Sequence, residues 1–210
     1  MITVLDHVFD DPEAHLKIDE DLLDLGNHTG ASFIRFWECP RHFVVLGKSN
    51  QAEREAHVPI CHADKIPILK RCSGGGTVLL GPGCLSYAFI LPLSFHPDLA
   101  TISSTTHFIM QGLSHIFLAR GLSVHIQGTS DLTLNGLKFS GNAQRRLRNA
   151  ILFHGTVLYR FDLDLISRYL TFPSRQPEYR NNRSHQAFIC NLDVDIEGLK
   201  TNIVNYFLNI

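Results

Sequence analysis

The residues of this chain best suited to chemistry are Lys70-Arg71-Cys72-Ser73-Gly74-Gly75-Gly76-Thr77, where a β-prone run breaks into three glycines and resumes as Thr77-Val78-Leu79-Leu80. Without Cβ atoms, backbone N–H groups can turn toward an anion and a ligand can lie directly on the main chain. The same glycines would also serve as a flexible hairpin loop. They do not make a P-loop, which runs Gly-Lys-Ser/Thr into a helix, nor a dinucleotide fingerprint. A second candidate is Gly136-Leu137-Lys138-Phe139-Ser140-Gly141-Asn142-Ala143-Gln144. Its one lysine follows a turn and sits among small residues that leave room around the ammonium, so it could meet a phosphate; the alternative is an exposed strand lysine. The third is His154-Gly155-Thr156 in an apolar strand, where a satisfied core histidine is the ordinary reading. No one of the three decides a function alone.

These residues need elements to position them. Asp11 followed by Pro12 reads as an N-cap with proline at the first helical position, predicting a helix over 12–25 that ends near Gly26. Runs rich in Val, Ile and Phe predict strands at 32–37, 43–46, 66–71, 77–80 and 85–91. The apolar spacing of 101–120, with Gly121 behind it, predicts a second helix. Strands follow at 123–126 and 131–134, and Asn135-Gly136 marks a two-residue hairpin whose returning strand begins at Lys138. A strand at 151–159 and helices at 162–170 and 195–208 complete the chain. The polar stretch 172–188 is long for a structureless connection, which points to a functional or mobile loop. Because hairpin signals dominate, the expected class is α+β, a single domain with a mixed, largely antiparallel sheet flanked by helices, rather than a doubly wound sheet.

Composition narrows the function classes. Of 210 residues, 44% are apolar and 19% charged, as in a globular domain. Lys plus Arg number 19 against 20 Asp plus Glu, so no overall field pulls the molecule onto nucleic acid. Cys39, Cys61, Cys72, Cys84 and Cys190 form an odd set without a C-x-x-C pair, which fits reduced thiols in the cytoplasm. The acidic amino terminus lacks the basic start of a secretory leader, and no apolar run approaches the roughly 20 residues of a membrane span. The expectation is therefore no nucleic acid and no membrane.

In this order and spacing the three motifs resemble the lipoate-protein ligase A family, whose biotin/lipoate A/B ligase catalytic module carries Arg-x-Ser-Gly-Gly-Gly, then Lys-x-Ser-Gly-x-Ala, then His-Gly-Thr. The likeness runs over about residues 10–195 and implies a biotin/lipoate protein ligase-like fold, with one catalytic domain over 1–210 and no C-terminal accessory domain. It further implies activation of lipoate or octanoate with ATP and Mg²⁺ to acyl-AMP, then transfer to a lysine of a lipoyl-domain acceptor protein. A separate accessory ligase subunit is a further implied partner. Carried over by position, Lys138 is the catalytic lysine. Arg71, Ser73, Gly74, Gly75, Gly76, Thr77, Asp131, Ser140, Gly141, His154, Gly155 and Thr156 line the lipoate and acyl-AMP site, with Asp131 also a candidate Mg²⁺ ligand. The biotin-ligase signature Gly-Arg-Gly-Arg is absent, which argues against biotin.

Two departures leave the subtype open. Gly81-Pro82-Gly83-Cys84-Leu85 resembles the octanoyltransferase segment more than the ligase's, and Leu80 stands where both commonly carry His. Cys190 falls where ligases have Thr and octanoyltransferases have an acyl-accepting Cys, so a thioester route through a Cys190 thiolate, its pKa lowered by Lys138, is the rival reading. The flanking Asn191-Leu192 matches the ligase pattern instead. A buried structural thiol is the other reading of Cys190, and a non-catalytic acyl-AMP binding protein is the third function considered. Arg145, Arg146 and Arg148 would either steer an acidic carrier protein or form a solvated strand end.

Overall fold

A computed structural model describes residues 1–210. In chain order the strands are β1 (Ile2–Asp6), β2 (Ser32–Trp37), β3 (Phe43–Leu46), β4 (Ile68–Lys70), β5 (Val78–Leu80), β6 (Cys84–Pro92), β7 (His125–Gln127), β8 (Asp131–Leu134), β9 (Leu137–Arg146) and β10 (Ala150–Leu158). The helices are α1 (Pro12–Thr29), α2 (Ala52–Glu55), α3 (Val58–Ala63), α4 (Ile102–Ala119), α5 (Asp164–Tyr169), α6 (His185–Phe188) and α7 (Ile196–Leu208). Seven strands form one sheet in the order β1-β2-β6-β10-β9-β8-β7, antiparallel except for β1 against β2. Three form a smaller sheet, β4-β3-β5. This is the mixed, largely antiparallel α+β arrangement expected from the hairpin signals. No helix is long and apolar enough to cross a membrane.

The alternation of side chains divides the large sheet between two jobs. One face carries Phe36, Phe89 and Phe153 into the main core, closed by Ile109, Leu113 and Phe117 of α4 and by Leu199, Ile203 and Phe207 of α7. The other face carries Phe33, Ala88 and Leu152 under Leu23 of α1. The small sheet brings its own core, with Val44 and Val45 packed among Leu79, Tyr169 and Phe188. Strands β2 and β6 are buried throughout, which explains their near-continuous apolar sequences.

Several local expectations shift for physical reasons. Helix α1 starts as expected, with the Asp11 side chain accepting from the Glu13 N–H at 3.0 Å, but it continues past Gly26 to a cap at Gly30, whose φ is +75°. Gly26 is a packing glycine: a Cβ there would sit 3.0 Å from both the Ala31 carbonyl and Ile90. Strand β1 and the short helices α2 and α3 escape the reading because elements of four to six residues leave little periodicity to detect. Asn135 and Gly136 have φ of 52° and 76°, the backbone of the expected hairpin turn.

Candidate functional site

Strand β9 sets the position of Lys138 through an irregularity. Opposite β8, Asp131 pairs with Gly141 and Leu132 with Ser140, but Thr133 pairs with Lys138, so Phe139 is one residue too many and forms a β-bulge. Phe139 and Ser140 consequently share the core side: Phe139 packs edge-on against Phe117, and the Ser140 hydroxyl lies 3.4 Å from that of Tyr87. Lys138 and Gly141, three apart and on opposite faces in a regular strand, both come to the other side. The Lys138 ammonium lies 2.7 Å from Asp131 Oδ1, and a Cβ on Gly141 would be 2.7 Å from that ammonium. Gly141 is the space the lysine occupies. Tyr179 donates its hydroxyl to Asp131 Oδ2 at 2.6 Å; burial and this carboxylate raise the phenol above its ordinary range.

The glycine loop sits across from Lys138, built on the end of β3. Lys48 donates its N–H to the Ser73 carbonyl at 2.8 Å, and Gly47 must lack a side chain because a Cβ would lie 2.2 Å from the Gly75 carbonyl oxygen. Arg71 staples the loop from within: Nη2 donates to the Gly74 and Gly76 carbonyls at 2.7 and 2.8 Å, and Nε to Ser73 Oγ at 3.0 Å. No carboxylate answers this buried guanidinium, and burial brings its pKa down to about 10. With the Gly74 and Gly76 carbonyls turned to Arg71, the N–H groups of Gly74, Gly75 and Gly76 donate to no protein acceptor. Ser73 Oγ also shares a hydrogen bond with His154 Nε2, 2.6 Å away. Burial, with Arg71 adding repulsion, holds His154 down to about 3, a neutral imidazole rather than a base.

Two adjoining cavities meet at Gly76, Thr77, Asp131, Lys138, Gly141 and Thr156. The narrower one, about 160 Å³, continues past Arg71 and His154 to Trp37, Ser86 and Asp19. The wider one, about 440 Å³, is bounded by the segment 172–188 through Arg175, Gln176, Arg180 and His185. That segment is not structureless: it holds a 3-10 turn, Glu178–Arg180, and α6, and Arg183 ties it to the Gly136 carbonyl at 3.1 Å.

Most sequence-predicted residues gather here, with differences in role. Arg71 organises the loop from inside while also lining the narrow cavity. Ser140 lines the wide cavity, but its hydroxyl turns away toward Tyr87 and Asn142. Thr77 Oγ1 accepts from Asn50 at 3.0 Å. Gly155 is a clearance position, since a Cβ would lie 1.9 Å from Asn142 Oδ1. The Cys190 thiol borders neither cavity: Sγ faces the Leu137 carbonyl at 3.8 Å, and burial pushes its pKa up, the opposite of the lowering a thiolate nucleophile needs. Arg146 is not part of a free cationic patch, because its guanidinium hydrogen-bonds Leu99 O and approaches Thr105 Oγ1.

The sequence reading missed Asn142, Tyr87, Tyr179 and the cluster at Trp37. Asn142 holds Ser130 by a reciprocal pair, Nδ2 to Ser130 O at 2.9 Å and Ser130 Oγ to Asn142 O at 2.7 Å, which fixes the strand edge beside Asp131. Asn142 stood inside the lysine motif and was readable there; nothing local in sequence marks Tyr179 as a partner of Asp131.

Comparison with known proteins agrees with this geometry. Residues 11–207 match the family model of the lipoyl protein ligase A/B catalytic domain, and the chain belongs to that family. A probable lipoate-protein ligase A of Mycoplasma pneumoniae is 26% identical over 168 residues, covering 80% of this chain and 48% of that protein. The fold is that of a bi-partite lipoate protein ligase from Thermoplasma acidophilum, solved in work that included its E2 lipoyl domain, with TM-score 0.84, 21% identity and coverage of 99% of this chain and 82% of that one. It is also that of a lipoate-protein ligase A bound with ATP, with TM-score 0.81, 20% identity and coverage of 99% and 83%. The chain spans about half the length of the curated relatives it matches.

Proposed function

We propose that residues 1–210 form the catalytic unit of a lipoate-protein ligase, which activates lipoate or octanoate as acyl-AMP and transfers the acyl group to a lysine of a lipoyl domain. The observation that carries this reading is the Lys138 ammonium, held by Asp131 where a narrow, partly apolar cavity opens into a wider one bordered by arginines. In the first step a carboxylate oxygen attacks the α-phosphorus of ATP and pyrophosphate leaves. In the second, the acceptor amine attacks the acyl carbon, AMP leaves, and the amine proton passes to solvent. Lys138 and the free N–H groups of Gly75 and Gly76 stabilise the oxygens that gain charge in both steps. Because His154 is held neutral, it positions Ser73 and moves no proton.

Asp131 is the one acidic residue common to the two cavities. Each of its oxygens already has one partner and keeps a lone pair, a donor set that fits Mg²⁺ arriving on the triphosphate better than a protein-held metal. The ion would neutralise phosphate charge during adenylation. The names of the relatives and the bound ATP of the ligase above support this substrate pair, and the bi-partite ligase supports a lipoyl-domain acceptor and a separate accessory subunit as partners.

The test is intact mass of an apo lipoyl domain after incubation with the protein. Lipoate plus ATP and Mg²⁺, with or without an accessory subunit, should add one acyl group; octanoyl carrier protein without ATP should add none. Acylation only from the carrier would transfer the chemistry to Cys190 and overturn the reading. Cys190→Ser should leave the ATP-dependent rate within about twofold, because a thiol turned to a carbonyl outside the cavities has no part in it.

A further inference from the structure

The segment 172–188 grips the β8–β9 hairpin at two points. Arg183 donates from Nη1 to the Gly136 carbonyl at 3.1 Å, two residues before Lys138, and from Nη2 to the Tyr179 carbonyl at 3.0 Å. Tyr179 in turn reaches β8 and donates to Asp131 Oδ2 at 2.6 Å, while Asp131 Oδ1 holds the Lys138 ammonium at 2.7 Å. The tyrosine ring is itself seated. It packs on Phe188 with centroids 5.2 Å apart, and it lies over the turn before β8, where Gly128 has φ +57° and a Cβ would be 3.3 Å from Tyr179 Cε1. Tyr179 borders neither cavity, so any effect it has on a bound molecule passes through Asp131.

An aspartate side chain turns about two torsions, and a carboxylate that faced only the lysine could rotate to take the ammonium with both oxygens. A donor on Oδ2 removes that freedom. It fixes the plane of the carboxylate and leaves Oδ1 alone for Lys138, so the ammonium keeps two of its three N–H donors for oxygens in the cavities. Taking the ligase reading as given, we infer that Tyr179 is a positioning residue for Lys138: through Asp131, its hydroxyl fixes where the ammonium stands while the acyl group is activated and transferred.

Tyr179→Phe keeps the ring on Phe188 and removes only the hydroxyl. In ATP-dependent acylation its kcat should fall about 10-fold with KM for lipoate and ATP within about twofold, because the ammonium is misplaced and the substrates are not. In an Asp131→Asn background the same change should alter kcat by no more than about twofold, since the two residues act as a unit. Proton NMR gives a readout free of catalysis. The two Cε protons of Lys138, assigned by their loss in Lys138→Gln, should be resolved in wild type, where a fixed ammonium makes them inequivalent, and should merge in Tyr179→Phe. Arg183→Lys, which loosens the hold on Tyr179 and Gly136, should act in the same direction by a smaller factor and serves as the independent variant if Tyr179→Phe does not fold. A kcat unmoved by loss of the hydroxyl, an equal loss in both backgrounds, or Cε protons that do not respond overturns the inference. Absence of acylation by wild type, with the Cε protons still responding, would instead overturn the ligase reading and leave this one standing.

Discussion

Arg71 and Arg35 are both buried, 9% and 1% exposed, and they differ in what compensates their charge. Arg35 is paired with the Asp19 carboxylate and also donates to the His15 carbonyl at 3.0 Å, while its guanidinium lies 5.4 Å from the Trp37 ring centre. Arg71 has only the Gly74 and Gly76 carbonyls and the Ser73 hydroxyl. A cation matched by a carboxylate is electrically closed, and what it contributes is a fixed junction between α1 and β2. A cation matched by dipoles keeps its full charge, and the loop that wraps it turns its N–H groups outward. The first arrangement builds the fold; the second prepares a place for an anion.

The contrast makes graded predictions. Arg35→Met leaves a buried Asp19 without its partner and should cost about 3–5 kcal/mol of stability, seen as a melting point lower by roughly 6–20 °C, with the folded fraction still able to acylate. Arg71→Met should do the reverse: a smaller loss of stability, but a fall of about 100-fold, about 2.7 kcal/mol, in kcat/KM for ATP-dependent acylation. If the two variants lose stability and activity in the same proportion, the distinction between them is wrong.

His154 sharpens the same point. Its folded pKa, about 3, lies below the ordinary 6.5 because of burial and then Arg71. As pH falls below 6.5 the unfolded chain takes up a proton that the folded chain refuses. This histidine's contribution is therefore complete above pH 6.5 and drains away at about 1.4 kcal/mol per pH unit toward pH 3. Melting of wild type and His154→Gln between pH 7 and 5 should diverge by that amount, and Arg71→Met should raise the lower end of this window by relieving the repulsion while leaving the slope above it unchanged. Gly141→Ala has the smallest expected effect. The added methyl would occupy the place of the Lys138 ammonium, which a flexible side chain can yield, so kcat should fall about 10-fold with the melting point nearly unchanged. Unaltered turnover in that variant would mean that the lysine works from another position.

Much of this was readable in the chain. Asp11-Pro12 set the start of α1, the apolar spacing of 101–120 set α4, and Asn135-Gly136 set the hairpin, because each is a local preference satisfied within a few residues. The end of α1 was not, since Gly26 and Gly30 look alike until Ile90 arrives to need the missing Cβ. Of the site, the glycine loop, Lys138 and His154 carried motifs, whereas the hold of Tyr179 on Asp131 is visible only as a contact.

The sequence by itself determined which residues carry charge and which lack side chains, together with the elements that hold them; these follow from side-chain chemistry and short-range backbone preference. Only the tertiary structure decided where they point. Strand alternation places Lys138 and Gly141 on opposite faces, and a single extra residue in the β8–β9 ladder puts them on one. That choice belongs to the pairing of two strands and to the core that takes in Phe139, so no residue of β9 states it alone.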